Sequence, residues 1–200
     1  MPRGCPINSA ARNTGILYQA MRVLVAAALL LAGPAAGTAI ANPPPALSAI
    51  EVSDPWSSPE RAGRTEAVVE RARAQIGIPY SWGGGGAHGP GLGVRDGGIA
   101  DEHGDFEKIG FDCSGLMVYS FAGAGVRLPR YSGHMLHAGP RVPVAAAQRG
   151  DLLFWGDGGR DHVALYLGDG MVLEAPYSGG HVRIASLDRE GLLPFAVRMI

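Results

Sequence analysis

The sequence predicts an α+β fold on two observations: segments with helical apolar spacing come first, and a run of short apolar strands follows. The helical segments begin at Thr65 and at Phe111. The strands are DLLFW, HVALYLG, MVLEA, HVRIAS and FAVRMI, separated by Gly and Asp clusters that favour tight connections in an antiparallel sheet.

The chain opens with a different kind of segment. From Met21 it reads MRVLVAAALLLAGPAAGTAIAN, a basic residue, an apolar run and then small residues, which predicts a secretory signal over residues 1–41 cleaved before Asn42. The twenty residues before Met21 are long for a basic leader and make Met21 a candidate start. A membrane anchor would need roughly twenty apolar residues, so no stable anchor is expected; an uncleaved one is the alternative. No cysteine follows the apolar run to carry a lipid, and a freely secreted protein is expected.

Removing residues 1–41 takes away Arg3, Arg12, Arg22 and Cys5 and no acidic residue. Of the 17 basic and 18 acidic residues, 14 and 18 remain, a formal charge of −4. That argues against nucleic acid as the main partner, since phosphate binding needs a basic patch. It also leaves Cys113 as a single thiol, which in an oxidising compartment marks a reactive group.

Residues 42–63, rich in Pro and Ser without apolar period, read as a linker, and residues 64–200 as the folded domain. Thr65 is placed to cap the first helix, with Val68, Val69, Ala72 and Ile76 as its apolar stripe and Gly77 as its stop. The glycine-rich stretch from Gly83 to Gly110 is long for a loop within a domain and is either functional or disordered. In the second helix Leu116, Met117, Ser120 and Phe121 share a face, and Gly123 and Gly125 close it. The chain is then read as a loop through Pro143, after which the strands begin.

Asp112 is a good N-cap for the second helix, which puts Cys113 in a first turn where unpaired N–H groups and the helix dipole favour an anion. The Asp112 carboxylate works slightly against this, so a histidine partner is needed. In HVALYLG, Val163, Leu165 and Leu167 alternate with His162, Ala164 and Tyr166. If Gly168-Asp169-Gly170 form a three-residue loop, Leu167 pairs with Met171 and Ala164 with Glu174, placing Glu174 diagonally across from His162 on one face. A two-residue loop would turn Glu174 away. The hydrophobic pattern thus favours a histidine oriented by a carboxylate, the nucleophile, base and orienting-group logic of acyl transfer.

FDCSGL, RGDLLFW, HVALYLGDG and VLEAP, in that order, resemble the NlpC-type cysteine endopeptidases of bacterial cell-wall peptides, and most closely their actinobacterial Rip-type branch. The resemblance covers about Thr65 to Ile200. It implies a papain-like fold, with the nucleophile at a helix N-terminus packed on a five- to six-stranded antiparallel sheet. It implies Cys113 as nucleophile, His162 as base, Glu174 as third group, Tyr80 of YSWGG in the oxyanion site, and Asp112 and Ser114 as contacts to a substrate amine. For Asp112 and Ser114, helix capping alone is the other reading. The expected substrate is the stem peptide of peptidoglycan, typically cut between D-glutamate and diaminopimelate, in the wall or periplasm.

Neither a cofactor nor a metal is expected, because Cys113, His162, Glu174 and His181 lack paired-ligand spacing. His134 and His137 read as surface residues, His88 and His103 as solvated, and Trp82 and Trp155 as groove lining or core. No repeated wall-binding module or sorting tail is visible, so targeting is expected to rest on the groove or on a partner, such as another wall hydrolase; a monomer is expected. A non-cleaving wall-binding module, or an amidase or acyltransferase of the same fold, are the alternatives.

Overall fold

The computed structural model describes residues 59–200; the signal segment and most of the expected linker lie outside them. Helix α1 spans Pro59–Arg73 and buries Val68, Val69 and Ala72. It begins earlier than the sequence pattern indicates, so Thr65 lies inside it and caps nothing. Ile76 falls beyond its end and is half exposed, because the turn that finishes at Gly77, with φ 90°, carries it away from the stripe.

The glycine-rich stretch holds two short strands, β1 (Gly91–Leu92) and β2 (Ile109–Gly110), paired antiparallel, and a one-turn helix α2 (Ile99–Glu102). Asp105, fully buried, organises it. Its Oδ2 accepts from the Trp82 N–H at 3.1 Å and from Ser178 Oγ at 2.7 Å. Ser81 Oγ donates to the carbonyls of Asp105 and Lys108. These bonds supply the order that the absence of apolar period leaves out.

Helix α3 (Cys113–Ala122) buries Leu116, Met117, Ser120 and Phe121, the face its spacing indicates, and ends in a turn at Gly125, φ 74°. Asp112 caps it, accepting from the Gly115 N–H at 2.6 Å. A further one-turn helix, α4 (Ser132–Met135), follows.

Six antiparallel strands complete the domain: β3 (Arg141–Pro143), β4 (Leu152–Trp155), β5 (His162–Gly168), β6 (Met171–Glu174), β7 (Arg183–Ser186) and β8 (Phe195–Val197), in the order β3-β8-β4-β5-β6-β7. The loop expected through Pro143 ends in β3, an edge strand, where a proline is tolerated. One face of the sheet packs Leu152, Phe154, Val163, Leu165, Leu173 and Val197 against α1 and α3. Each such buried side chain contributes about 1.5–3 kcal/mol. The other face carries Leu153, Ala164, Val172 and Ala196 under Trp155, Tyr166 and Leu192.

The β5–β6 turn differs from the expectation. Gly168, not Leu167, pairs with Met171, and the loop is the two residues Asp169 and Gly170, both left-handed at φ 52° and 69°. A bulge between Tyr166 and Gly168 absorbs the extra residue, so the pairs Tyr166↔Val172 and Leu165↔Leu173 carry on as a three-residue loop would have set them. Glu174 therefore stays on the face of His162.

Candidate active site

The site lies where the N-terminus of α3 meets the start of β5. There the backbone of Phe111 is bridged to Tyr80, which brings Tyr80 beside the head of the helix. Cys113 opens α3 half-buried, and as a first-turn residue its N–H has no intrahelical acceptor. His162 opens β5 near enough to Cys113 for the two to interact electrostatically. Its Nε2 lies 2.8 Å from Glu174 Oε2, which leaves Nδ1 for the thiol side. The structure thus brings Cys113, His162, Glu174 and Tyr80 together.

Burial disfavours a charged His162, but the hydrogen bonds and charges of Cys113 and Glu174 outweigh it and push the ring up to about 9. Burial likewise works to raise Glu174; His162 and then Arg183 overcome it and hold the carboxyl below its ordinary value. Burial, followed by the neighbouring Cys113 and Asp112, pushes the Tyr80 hydroxyl up, so it stays protonated and able to donate.

Two supporting side chains are not evident in local sequence. Arg183 stands opposite Glu174 in the β6–β7 register and donates Nε to Oε1 at 3.0 Å, so both carboxylate oxygens are held. Trp155 pairs with His162 across β4–β5, and the two rings lie 5.3 Å apart between centroids. The indole N–H donates to the Asp188 carbonyl at 3.1 Å, which fixes the wall on which the imidazole rests.

Asp112 and Ser114 flank the nucleophile, are largely buried, and line the groove that exposes Cys113. Arg130 grips the Asp112 carboxylate at both oxygens, 2.8 and 2.9 Å, and also donates to Ser114 Oγ at 2.8 Å and to the Gly84 carbonyl at 2.9 Å. Its positive charge cancels the carboxylate that would otherwise oppose a thiolate next door. Gly115 makes room for this cluster: a Cβ there would lie 2.3 Å from the Gly84 oxygen and 3.2 Å from Arg130 Nη2.

Three linked grooves surround the site. One of about 350 Å³ exposes Cys113 between Trp82, Arg130 and Tyr131. Trp82 and Asp161 separate it from one of about 550 Å³ that reaches Tyr80, His103 and Tyr177. Pro176 and Tyr177 border both this and a third, of about 310 Å³, over Trp155, His162 and Glu174. Trp82, 46 % exposed, is groove wall and not core. His134 and His137 are exposed on and after α4, with His137 against Arg141; His88, His103 and His181 are exposed as well. Among the described residues no group of three or more His, Cys, Asp or Glu is arranged to hold a metal ion.

Comparison with known proteins bears on what such a site does. The family model described as the NlpC/P60 family matches residues 77–199. The chain is 50% identical over 135 residues to peptidoglycan endopeptidase RipB of Mycobacterium tuberculosis, covering 68% of this chain and 53% of RipB. Its match spans about a quarter to a half of the curated relatives RipA and RipB. Solved structures of the resuscitation promoting factor interacting protein RipA include forms mutated at a cysteine, a histidine and a glutamate. The intervals between those three positions equal the intervals between Cys113, His162 and Glu174. The cysteine-mutated form is 44% identical, covers 69% of this chain and 63% of its own, and superposes with a TM-score of 0.64. RipD of Mycobacterium tuberculosis, described as a non-catalytic NlpC/p60 domain protein adapted to peptidoglycan binding, is 39% identical over 68% of this chain and 98% of its own, at a TM-score of 0.61.

Proposed function

This chain belongs to the NlpC/P60 family, and on that premise we propose that it is a secreted cysteine endopeptidase that cleaves the stem peptides of peptidoglycan. The observation that carries the reading is the constellation of Cys113, His162 and Glu174, with His162 hydrogen-bonded to the carboxylate and in electrostatic contact with the thiol. A fold of this kind serves binding as well as cleavage, as the description of RipD says of that protein. The thiol and its histidine favour cleavage here.

The chemistry is acyl transfer. The Cys113 thiolate attacks the amide carbonyl, and the oxyanion is met by the Tyr80 hydroxyl and the Cys113 N–H. Imidazolium His162 then protonates the leaving amine, giving a thioester and a free amino product. Water, deprotonated by His162, hydrolyses the thioester and restores the thiol. Glu174 keeps the ring oriented and stabilises its charged form. The bond we propose is that between D-glutamate and diaminopimelate, and the place of action the wall or periplasm.

The test is digestion of purified muropeptides by the protein and by Cys113→Ala, with products identified by mass spectrometry. Fragments from the wild type alone, with new termini at D-glutamate and diaminopimelate, are the expected result. Intact substrate with both folded proteins would overturn the enzymatic reading in favour of a binding module.

A further inference from the structure

The grooves divide a substrate between them. Cys113, which takes the acyl half, lines the groove beside Trp82 and Arg130, and His162, which returns a proton to the departing amine, lines the groove of about 310 Å³ beside Trp155 and Glu174. The amine half therefore runs toward the His162 groove. Two charged side chains there have no part in the chemical steps described above as donors or acceptors to the reacting atoms. Arg183 places Nε and Nη2 each 3.0 Å from one oxygen of Glu174. A guanidinium has five N–H donors, so about three remain. The side chain is 47% exposed, with its guanidinium carbon 5.5 Å from the centre of the Tyr177 ring. Asp188, on the connection after β7, is exposed and lines the same groove. Its Oδ1 accepts the Glu190 N–H at 2.9 Å and its main-chain carbonyl accepts the Trp155 indole, which fixes its place. The ion pair that Arg183 makes is with Glu174 and not with Asp188. The groove thus presents a cation and an anion that do not satisfy one another.

Such a pair fits a head group that carries both charges itself, the amino-acid end of a diamino dicarboxylic side chain. A guanidinium binds a carboxylate through charge-assisted hydrogen bonds, and a carboxylate binds an ammonium in the same way. We infer that this groove binds the zwitterionic side-chain end of the leaving residue, with Arg183 taking its carboxylate and Asp188 its ammonium. Lysine in that place would offer the ammonium alone. A diaminopimelate acylated at its side-chain amine, as in a cross-link, would offer the carboxylate alone. A site built to hydrogen-bond a group rejects the analogue that lacks it, so the enzyme selects stems that are not cross-linked through the leaving residue. This rests on the reading of a hydrolase that releases diaminopimelate, and it names the residues and the state of the stem that the reading leaves open.

Stem peptides that differ only at the leaving residue provide the test: diaminopimelate, the same residue amidated at its side-chain carboxyl, and the same residue acetylated at its side-chain amine. Wild-type kcat/KM should fall about tenfold or more for each modified peptide. Arg183→Gln, which also loosens the hold on Glu174, should slow the cleavage of every peptide. Its penalty for amidation should nevertheless shrink to within about threefold, while that for acetylation persists. Asp188→Asn should do the reverse. Wild-type values within about threefold of one another overturn the inference, and a penalty left unmoved by its own variant overturns that residue's assignment. Should Arg183→Gln fail to fold, the wild-type penalties and Asp188→Asn, on its exposed connection, decide. Calorimetric binding of the same peptides to Cys113→Ala separates this from the hydrolase reading. Affinities that fall with each modification, without wild-type cleavage, would sink the hydrolase reading and keep this inference. Equal affinities or no binding, again without cleavage, would sink both.

Discussion

His162 Nε2 stands 2.8 Å from Glu174 Oε2, and Arg183 holds the other oxygen of that carboxylate at 3.0 Å. The imidazole is thus tied to an acid that cannot rotate away, with Cys113 on its other side. If the pair has its proposed role, the charged ring persists to about pH 9, and the alkaline limb of kcat/KM should fall there. Glu174→Gln should move that limb to lower pH and lower kcat by about 10²-fold. A pH–rate profile that keeps its limb in the variant would remove Glu174 from the mechanism.

The same shift has a consequence for stability. His162 is raised above its unfolded value near 6.5, so its contribution is complete below about pH 6.5 and is lost as the pH rises through about 9. Denaturant midpoints across that window should decline in the wild type. In Glu174→Gln the decline should be smaller, and an equal decline in both proteins would assign it to other groups.

His162 should also govern the reactivity of the thiol. A histidinium beside a helix N-terminus favours thiolate over thiol. Alkylation of Cys113 by iodoacetamide at pH 6, followed on its tryptic peptide, should slow at least tenfold in His162→Ala. An unaltered rate would leave the helix terminus as the whole cause.

Tyr80 is buried, protonated and adjacent to the nucleophile. Removing one oxyanion donor costs about 10²–10³ in rate. Tyr80→Phe should therefore lower kcat by that factor with little change in KM, because the ring and its packing remain. A rise in KM alone would make Tyr80 a binding residue instead.

Asp151 and Arg198 form a buried pair away from the grooves, at 2.9 and 2.8 Å, with side chains 2% and 9% exposed. Breaking a buried ion pair by removing one partner is strongly destabilising, and Asp151→Ala should destabilise the domain by about 3–5 kcal/mol. Activity per folded molecule should be unchanged. Chemical denaturation with an active-site titration separates the two effects.

Much of this domain is written in local pattern. The burial face of α3 and its Asp112 cap follow from residue spacing and from the chemistry of a helix start. The same is true of the alternation that separates His162 from Val163 and Leu165. Glu174 reached the face of His162 by a route the pattern did not contain, a two-residue turn compensated by a bulge, because the matching of apolar faces constrains the register and leaves the turn geometry free. Helix α1 includes residues 59–64, ahead of its apolar stripe, because polar turns on an exposed surface leave no apolar trace in the sequence.

Tertiary structure alone decided what surrounds the nucleophile. Arg130 comes from a loop and Arg183 from a neighbouring strand across an eight-residue connection, while Trp155 meets His162 only through the pairing of β4 with β5. None of the three has a periodicity or a fixed offset from its partner. The sequence by itself determined helix α3, the strands from Leu152 onward and the placement of Cys113 at a helix start and of His162 and Glu174 on one face, because periodicity, capping and alternation act between near neighbours. The neutralised Asp112, the second hold on Glu174 and the aromatic wall behind His162 depend on contacts between distant segments, which exist only once the chain has packed.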